Sequence, residues 1–112
     1  MHSRSSFDGA NANLKCYINA VFNSGGTDYV DNASMAFNGS RMKVGLGSSG
    51  TLANSWSSMD IIAHEFTHAV TGTSSALVYQ GESGALNESF SDIFGEMVEN
   101  YAAGPNDWLM GD

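Results

Sequence analysis

The stretch "MDIIAHEFTHAV", Met59 to Val70, carries His64 and His68 four residues apart with Glu65 between them. It is preceded by Ser57 and Ser58, and Ser57 to Asp60 match the S/T-x-x-D/E pattern of a capping box, so a helix is expected from about Met59 to Thr71, ending near Gly72. On a helix, positions i and i+4 lie almost one above the other, about 6 Å apart. Two imidazoles at that spacing can meet at one ion, with about 2.0–2.1 Å from each nitrogen to a zinc. Glu65 points roughly 100° away from His64 around the axis. That direction suits a base acting on a metal-held water better than a third ligand. The pattern H-E-x-x-H also arises by chance in roughly one chain of this length in several hundred. It therefore needs a third ligand to become an argument.

The third ligand is expected downstream. A second helix is read from about Glu82 or Ser83 to Tyr101, closed by Gly104-Pro105. Along it Leu86, Phe90, Ile93, Phe94, Met97, Val98 and Tyr101 recur at three- and four-residue steps, which predicts one apolar face turned to the core. Glu88 lies twenty residues after His68, far enough for a loop and half a turn of helix, and Asp92 follows one turn later on the same face. A carboxylate at Asp92 can accept the second ring N–H of a ligating histidine and orient it. On periodicity alone Glu88 and Asp92 also fit a solvated acidic face.

The first half of the chain reads as strands and turns. Strict alternation in "LKCYINAVF" puts Cys16, Ile18, Ala20 and Phe22 on one face of a strand, which "NSGGTDY" then breaks. Asn38-Gly39 between two strand-like runs predicts a hairpin. A Gly- and Ser-rich connector, "GSSGTLANSWSS", leads to the first helix. The fold class is thus α+β: an antiparallel, β-rich first half followed by two helices.

Composition narrows the function classes. With four Lys and Arg against twelve Asp and Glu, the net charge is −8 and no basic patch is available, which argues against nucleic-acid binding. No apolar run is long enough to span a membrane, and "MHSRSSFDGANAN" lacks the apolar core of a signal peptide. The single cysteine, Cys16, cannot form an internal disulfide and reads as a small apolar strand residue. His2 reads as a surface residue.

The joint spacing of "IIAHEFTHAVT" and "LVYQGESGALNESFSDIFGEMVENYA" resembles the thermolysin-like neutral metalloproteases, the M4 peptidase family, over roughly His2 to Asp112. The resemblance implies a truncated zincin-like fold of the gluzincin type, with zinc held by His64, His68 and Glu88 and with Glu65 as general base. It implies Asp92 and Asn87 as supports behind the zinc-bound histidines. Tyr79, which by itself reads as a packing aromatic, corresponds to a tyrosine that holds the oxyanion. The resemblance also implies a substrate-backbone site at Asn32-Ala33, if the strand bulges before Asn38-Gly39, or at Ser34-Met35 otherwise. It implies calcium at Asp60, Glu99, Asp107 and Asp112, although Asp60 also suits a helix start and the others also suit a solvated surface. Leu109 stands where an acidic residue is frequent, and "GLGSSG" lacks the carboxylates of the usual connector.

Family enzymes add a C-terminal helical domain that supplies a further histidine, an arginine and much of the specificity pocket. The expectation is therefore that residues 1–112 form a single partial domain of a secreted zinc endopeptidase that acts on peptide or protein substrates. The alternative is a zinc- and calcium-binding module that is inactive without that domain. A different zinc hydrolase is a third reading, disfavoured by Tyr79 and the "NESFSD" match.

Overall fold

A computed structural model describes residues 4–36, 38–48, 56–105 and 108–111. Five short strands, β1 (Lys15–Tyr17), β2 (Phe22–Ser24), β3 (Thr27–Tyr29), β4 (Ala33–Met35) and β5 (Arg41–Val44), precede two helices, α1 (Met59–Thr73) and α2 (Gly81–Ala103). This is the α+β order expected.

The β4–β5 hairpin forms around Asn38-Gly39. Asn38 accepts hydrogen bonds from the Ser40 backbone and hydroxyl at 3.1 and 2.6 Å, and Gly39 takes a positive φ of 69°. The register is regular, pairing Ala33 with Val44 and Met35 with Met42, so no bulge interrupts β4. Strand β5 also pairs β1 in parallel, giving the sheet order β1-β5-β4. Alternation along β5 buries Met42 and Val44, each 1% exposed, and these join Phe7 and Ala69 in a small core beneath α1.

The single strand expected over residues 14–22 does not form. Asn19 adopts a left-handed φ of 54°, which ends β1 at Tyr17 and redirects the chain. Cys16 and Ile18 are consequently exposed, and of the four residues expected on one strand face only Phe22 is buried. The expected break at "NSGGTDY" is a hairpin turn instead. Gly25 and Gly26, with φ of 59° and 86°, make the two-residue connection between β2 and β3.

Both helices lie close to their expected bounds, but two details differ. The N-cap of α1 is Ser58 rather than Ser57, and Ser58 makes no side-chain capping bond. Asp60 is turned inward instead, fully buried, and accepts a hydrogen bond from the Gly111 backbone N–H. The larger correction concerns α2. Its apolar series is the exposed side, from Phe90 at 40% to Tyr101 at 94%, and its buried side is Gly84, Asn87, Ser91, Gly95 and Glu96. Helix α1 packs on that small, polar stripe because it permits close approach. A Cβ at Gly95 would sit 2.7 Å from the Asp60 carbonyl oxygen. Among the described residues no helix is long and apolar enough to cross a membrane.

Candidate metal centre

The close packing of α1 on α2 brings three donor atoms together. His64 and His68 stand one turn apart on α1, with their Nε2 atoms 3.0 Å apart and their rings edge to face. Glu88 enters from α2, its Oε2 3.2 Å from His64 Nε2 and 3.5 Å from His68 Nε2. A tetrahedral ion bonded at about 2.0–2.1 Å spaces its ligands roughly 3.3–3.4 Å apart. The triangle of two imidazole nitrogens and one carboxylate oxygen therefore fits a zinc-sized cation.

Each ring is held from behind. Asn87 Oδ1 lies 2.8 Å from His68 Nδ1, and Asp92 Oδ1 lies 2.9 Å from His64 Nδ1. The Asp92 contact is short but is not an aligned hydrogen bond. Either contact favours the tautomer whose Nε2 lone pair faces the triangle. Ser91, which sequence reasoning did not single out, places its hydroxyl 3.1 Å from His68 Nδ1. The available signal was its position one turn after Asn87 on the same helix face.

Glu65 lies outside this triangle of donors and is only 6% exposed. Burial, reinforced by the nearby negative charge of Glu88, pushes its carboxyl up to about 7, while a backbone N–H from Met35 pulls the other way. Its Oε2 is buried without a hydrogen-bond partner. Tyr79, half exposed, donates its hydroxyl to Glu88 Oε1, with its ring edge-on to His68 at a centroid distance of 6.1 Å.

These groups line one cleft of about 1410 Å³, whose opposite wall is Asn32 to Ala36. Gly45 N–H donates to Asn32 O and Ala36 N–H to Arg41 O, so every second residue of β4 faces β5. The backbone groups of Ala33 and Met35 point the other way, into the cleft. Of this strand, Met35 reaches Glu65 through its backbone N–H.

At the start of α1 a second cluster forms. Carboxylate oxygens of Asp60, Glu96 and Glu99 lie within 4.8 Å of one another, and Asp60 Oδ1 is buried without a hydrogen-bond partner. Glu96, 4% exposed, was not anticipated; its spacing of three from Glu99 on one helix was the legible hint. Asp107 and Asp112 lie outside the described residues, as does His2. Leu109 is exposed and precedes the turn residues Met110 and Gly111.

Comparison with known proteins places this geometry in a family. The family model described as the thermolysin metallopeptidase catalytic domain matches residues 1–72, and that of the thermolysin metallopeptidase alpha-helical domain matches residues 75–112. The chain is 44% identical to a bacillolysin of Brevibacillus brevis and 43% identical to a thermolysin of Alicyclobacillus acidocaldarius subsp. acidocaldarius. Each match covers 100% of this chain and 19% of the relative. Among solved structures, the precursor of protealysin, a metalloproteinase from Serratia proteamaculans, superposes with a TM-score of 0.67 at 25% identity, over 89% of this chain and 29% of that one. The chain thus spans about one-fifth of the length of the curated relatives it matches. Two helices that bring HEFTH against NESFSD, matched along the whole chain, lead to one assignment: the chain belongs to the thermolysin family of metallopeptidases.

Proposed function

We propose that this chain is the zinc-binding part of a metalloendopeptidase that hydrolyses peptide bonds, with His64, His68 and Glu88 as zinc ligands and Glu65 as general base. The observation that carries the reading is the triangle of donor atoms with edges of 3.0, 3.2 and 3.5 Å beside a buried carboxylate. Zinc at that place supplies a water acidified to a pKa of about 7 and polarises the substrate carbonyl. Glu65, raised to about 7 by burial and by Glu88, is matched to take that water's proton and pass it to the leaving amine. Tyr79, at the cleft mouth, turns its hydroxyl from Glu88 toward the oxygen on which negative charge develops. The edge of β4 turned away from β5, at Ala33 and the Met35 carbonyl, binds the substrate backbone as an added strand, with Asn32-Ala33 or Ser34-Met35 as the pair that contacts it. Asp92 and Asn87 hold the two rings in their ligating orientation.

Calcium is the cation proposed for Asp60, Glu96 and Glu99. Hard oxygen ligands from two helices suit it, and buried carboxylates brought this close need a countercharge. Asp107 and Asp112 remain proposed ligands from outside the described residues. The relatives are about five times this length, and α2 leaves its apolar face open. Both facts support a partial domain, residues 1–112, which needs the rest of the helical domain to complete the cleft. They equally support the second reading, a metal-binding module inactive alone. The family assignment supports secretion and a peptide or protein substrate.

Metal analysis should find one zinc bound tightly at the triangle, lost in His64→Ala, His68→Ala and Glu88→Ala; full zinc in all three variants rejects the assignment. A version extended downstream should degrade casein and lose that activity on Glu65→Gln while keeping its zinc.

A further inference from the structure

Ser91 is fully buried in the middle of α2, at the face covered by α1. Filling that space does not require a hydroxyl. Alanine has nearly the same volume, favours a helix by a few tenths of a kcal/mol and brings no polar atom to desolvate. The hydroxyl has one described partner, Nδ1 of His68 at 3.1 Å. That nitrogen already faces Asn87 Oδ1 at 2.8 Å, but among the described residues the Asn87 amide is itself held by a long contact, 3.5 Å from its Nδ2 to the Leu77 carbonyl. Asn87 alone is therefore a loosely anchored support. Ser91, on the rigid interior of the same helix, grips the same ring atom from a second direction. His64 by contrast relies on the charge of Asp92, whose side chain is 53% exposed.

We propose that Ser91 is a positioning residue for the metal centre: with Asn87 it shares the Nδ1–H of His68, fixing the ring's tautomer and rotation so that Nε2 is presented to zinc. This rests on the zinc reading above. The two supports divide by charge, neutral inside the helix interface at His68 and anionic at the solvent side at His64. A neutral pair holds the His68 ring without adding another carboxylate to a chain of net charge −8.

The test is Ser91→Ala, read by zinc affinity in chelator competition, by the visible spectrum of the cobalt-substituted chain and by the unfolding midpoint of the metal-free chain. The expected result is zinc bound about tenfold more weakly, the low end for removing a ligand's support. The cobalt absorption should shift, and the metal-free midpoint should be unchanged or higher. Ser91→Ala combined with Asn87→Ala should be non-additive, since both groups act on one nitrogen. Unchanged zinc affinity overturns the proposal, and so does a loss matched by a lower metal-free midpoint, which marks a packing role. A wild-type chain that holds no zinc rejects the zinc reading itself, a result distinct from failure of the Ser91 variant alone.

Discussion

Glu65 lies beside the metal-binding triangle as a carboxyl held near pH 7 by burial, then by Glu88. Its folded-state value is above the unfolded one, so the folded chain binds the proton more tightly. The stability this contributes is fully present below about pH 4.5 and is lost as pH rises through about 7. In the metal-free chain, Glu65→Gln should therefore raise stability at pH 8 by about 1–3 kcal/mol and change it little at pH 4, as followed by urea unfolding at both values. A larger effect at pH 4 contradicts the burial argument. At this scale the sequence was highly legible. The spacing 64–68 put two donors on one side because helix geometry converts spacing into direction, whereas Glu88, beyond a loop, also fitted a solvated acidic face and was singled out by the family resemblance. Ser91 and Glu96 carry only weak sequence signals, a spacing of four from Asn87 and of three from Glu99, which many solvated helix positions share. Their roles come from which face α1 covers.

Helix α2 shows where element-level reading succeeds and where it stops. Its period, length and Gly104-Pro105 ending followed from the sequence, yet its orientation was read inside out. Periodicity identifies an apolar face but not what lies against it, and here α1 chose the stripe of glycine and small polar residues that lets backbones meet. Gly95 tests this. In an open helix Gly→Ala gains about 1 kcal/mol. Here the new Cβ meets the Asp60 carbonyl at 2.7 Å, a backbone atom that cannot swing aside. Gly95→Ala should instead destabilise by about 1–3 kcal/mol and weaken zinc binding as the helices part; a stabilised variant refutes the close-packing account. The strands taught a similar lesson. The Asn38-Gly39 hairpin was readable because its turn residues dictate backbone angles. The break at Asn19 was not, since an asparagine inside an alternating run gives no warning that it will turn left-handed.

Across the whole molecule, the exposed side of α2 gathers Phe90, Ile93, Phe94, Met97, Val98 and Tyr101, a patch of the kind that soluble monomers rarely leave contiguous. The isolated chain should therefore self-associate and bind a hydrophobic dye. Phe94→Lys with Met97→Lys should reduce both, seen by sedimentation and fluorescence, while zinc content stays unchanged. Loss of zinc in that variant would mean that the outer face helps set the inner one. The inner face joins α1 to α2 at two places, the histidine–glutamate triangle and, one turn earlier on α1 and two turns later on α2, the Asp60–Glu96–Glu99 cluster. Two bodies fastened at a single point still pivot about it in every direction; a second fastening leaves only rotation about the line through both points and locks their register. With calcium at one point and zinc at the other, neither ion would be a private matter of its own ligands. Withdrawing the calcium would turn a hinge into a swivel, and zinc should then leave faster although none of its ligands had been touched.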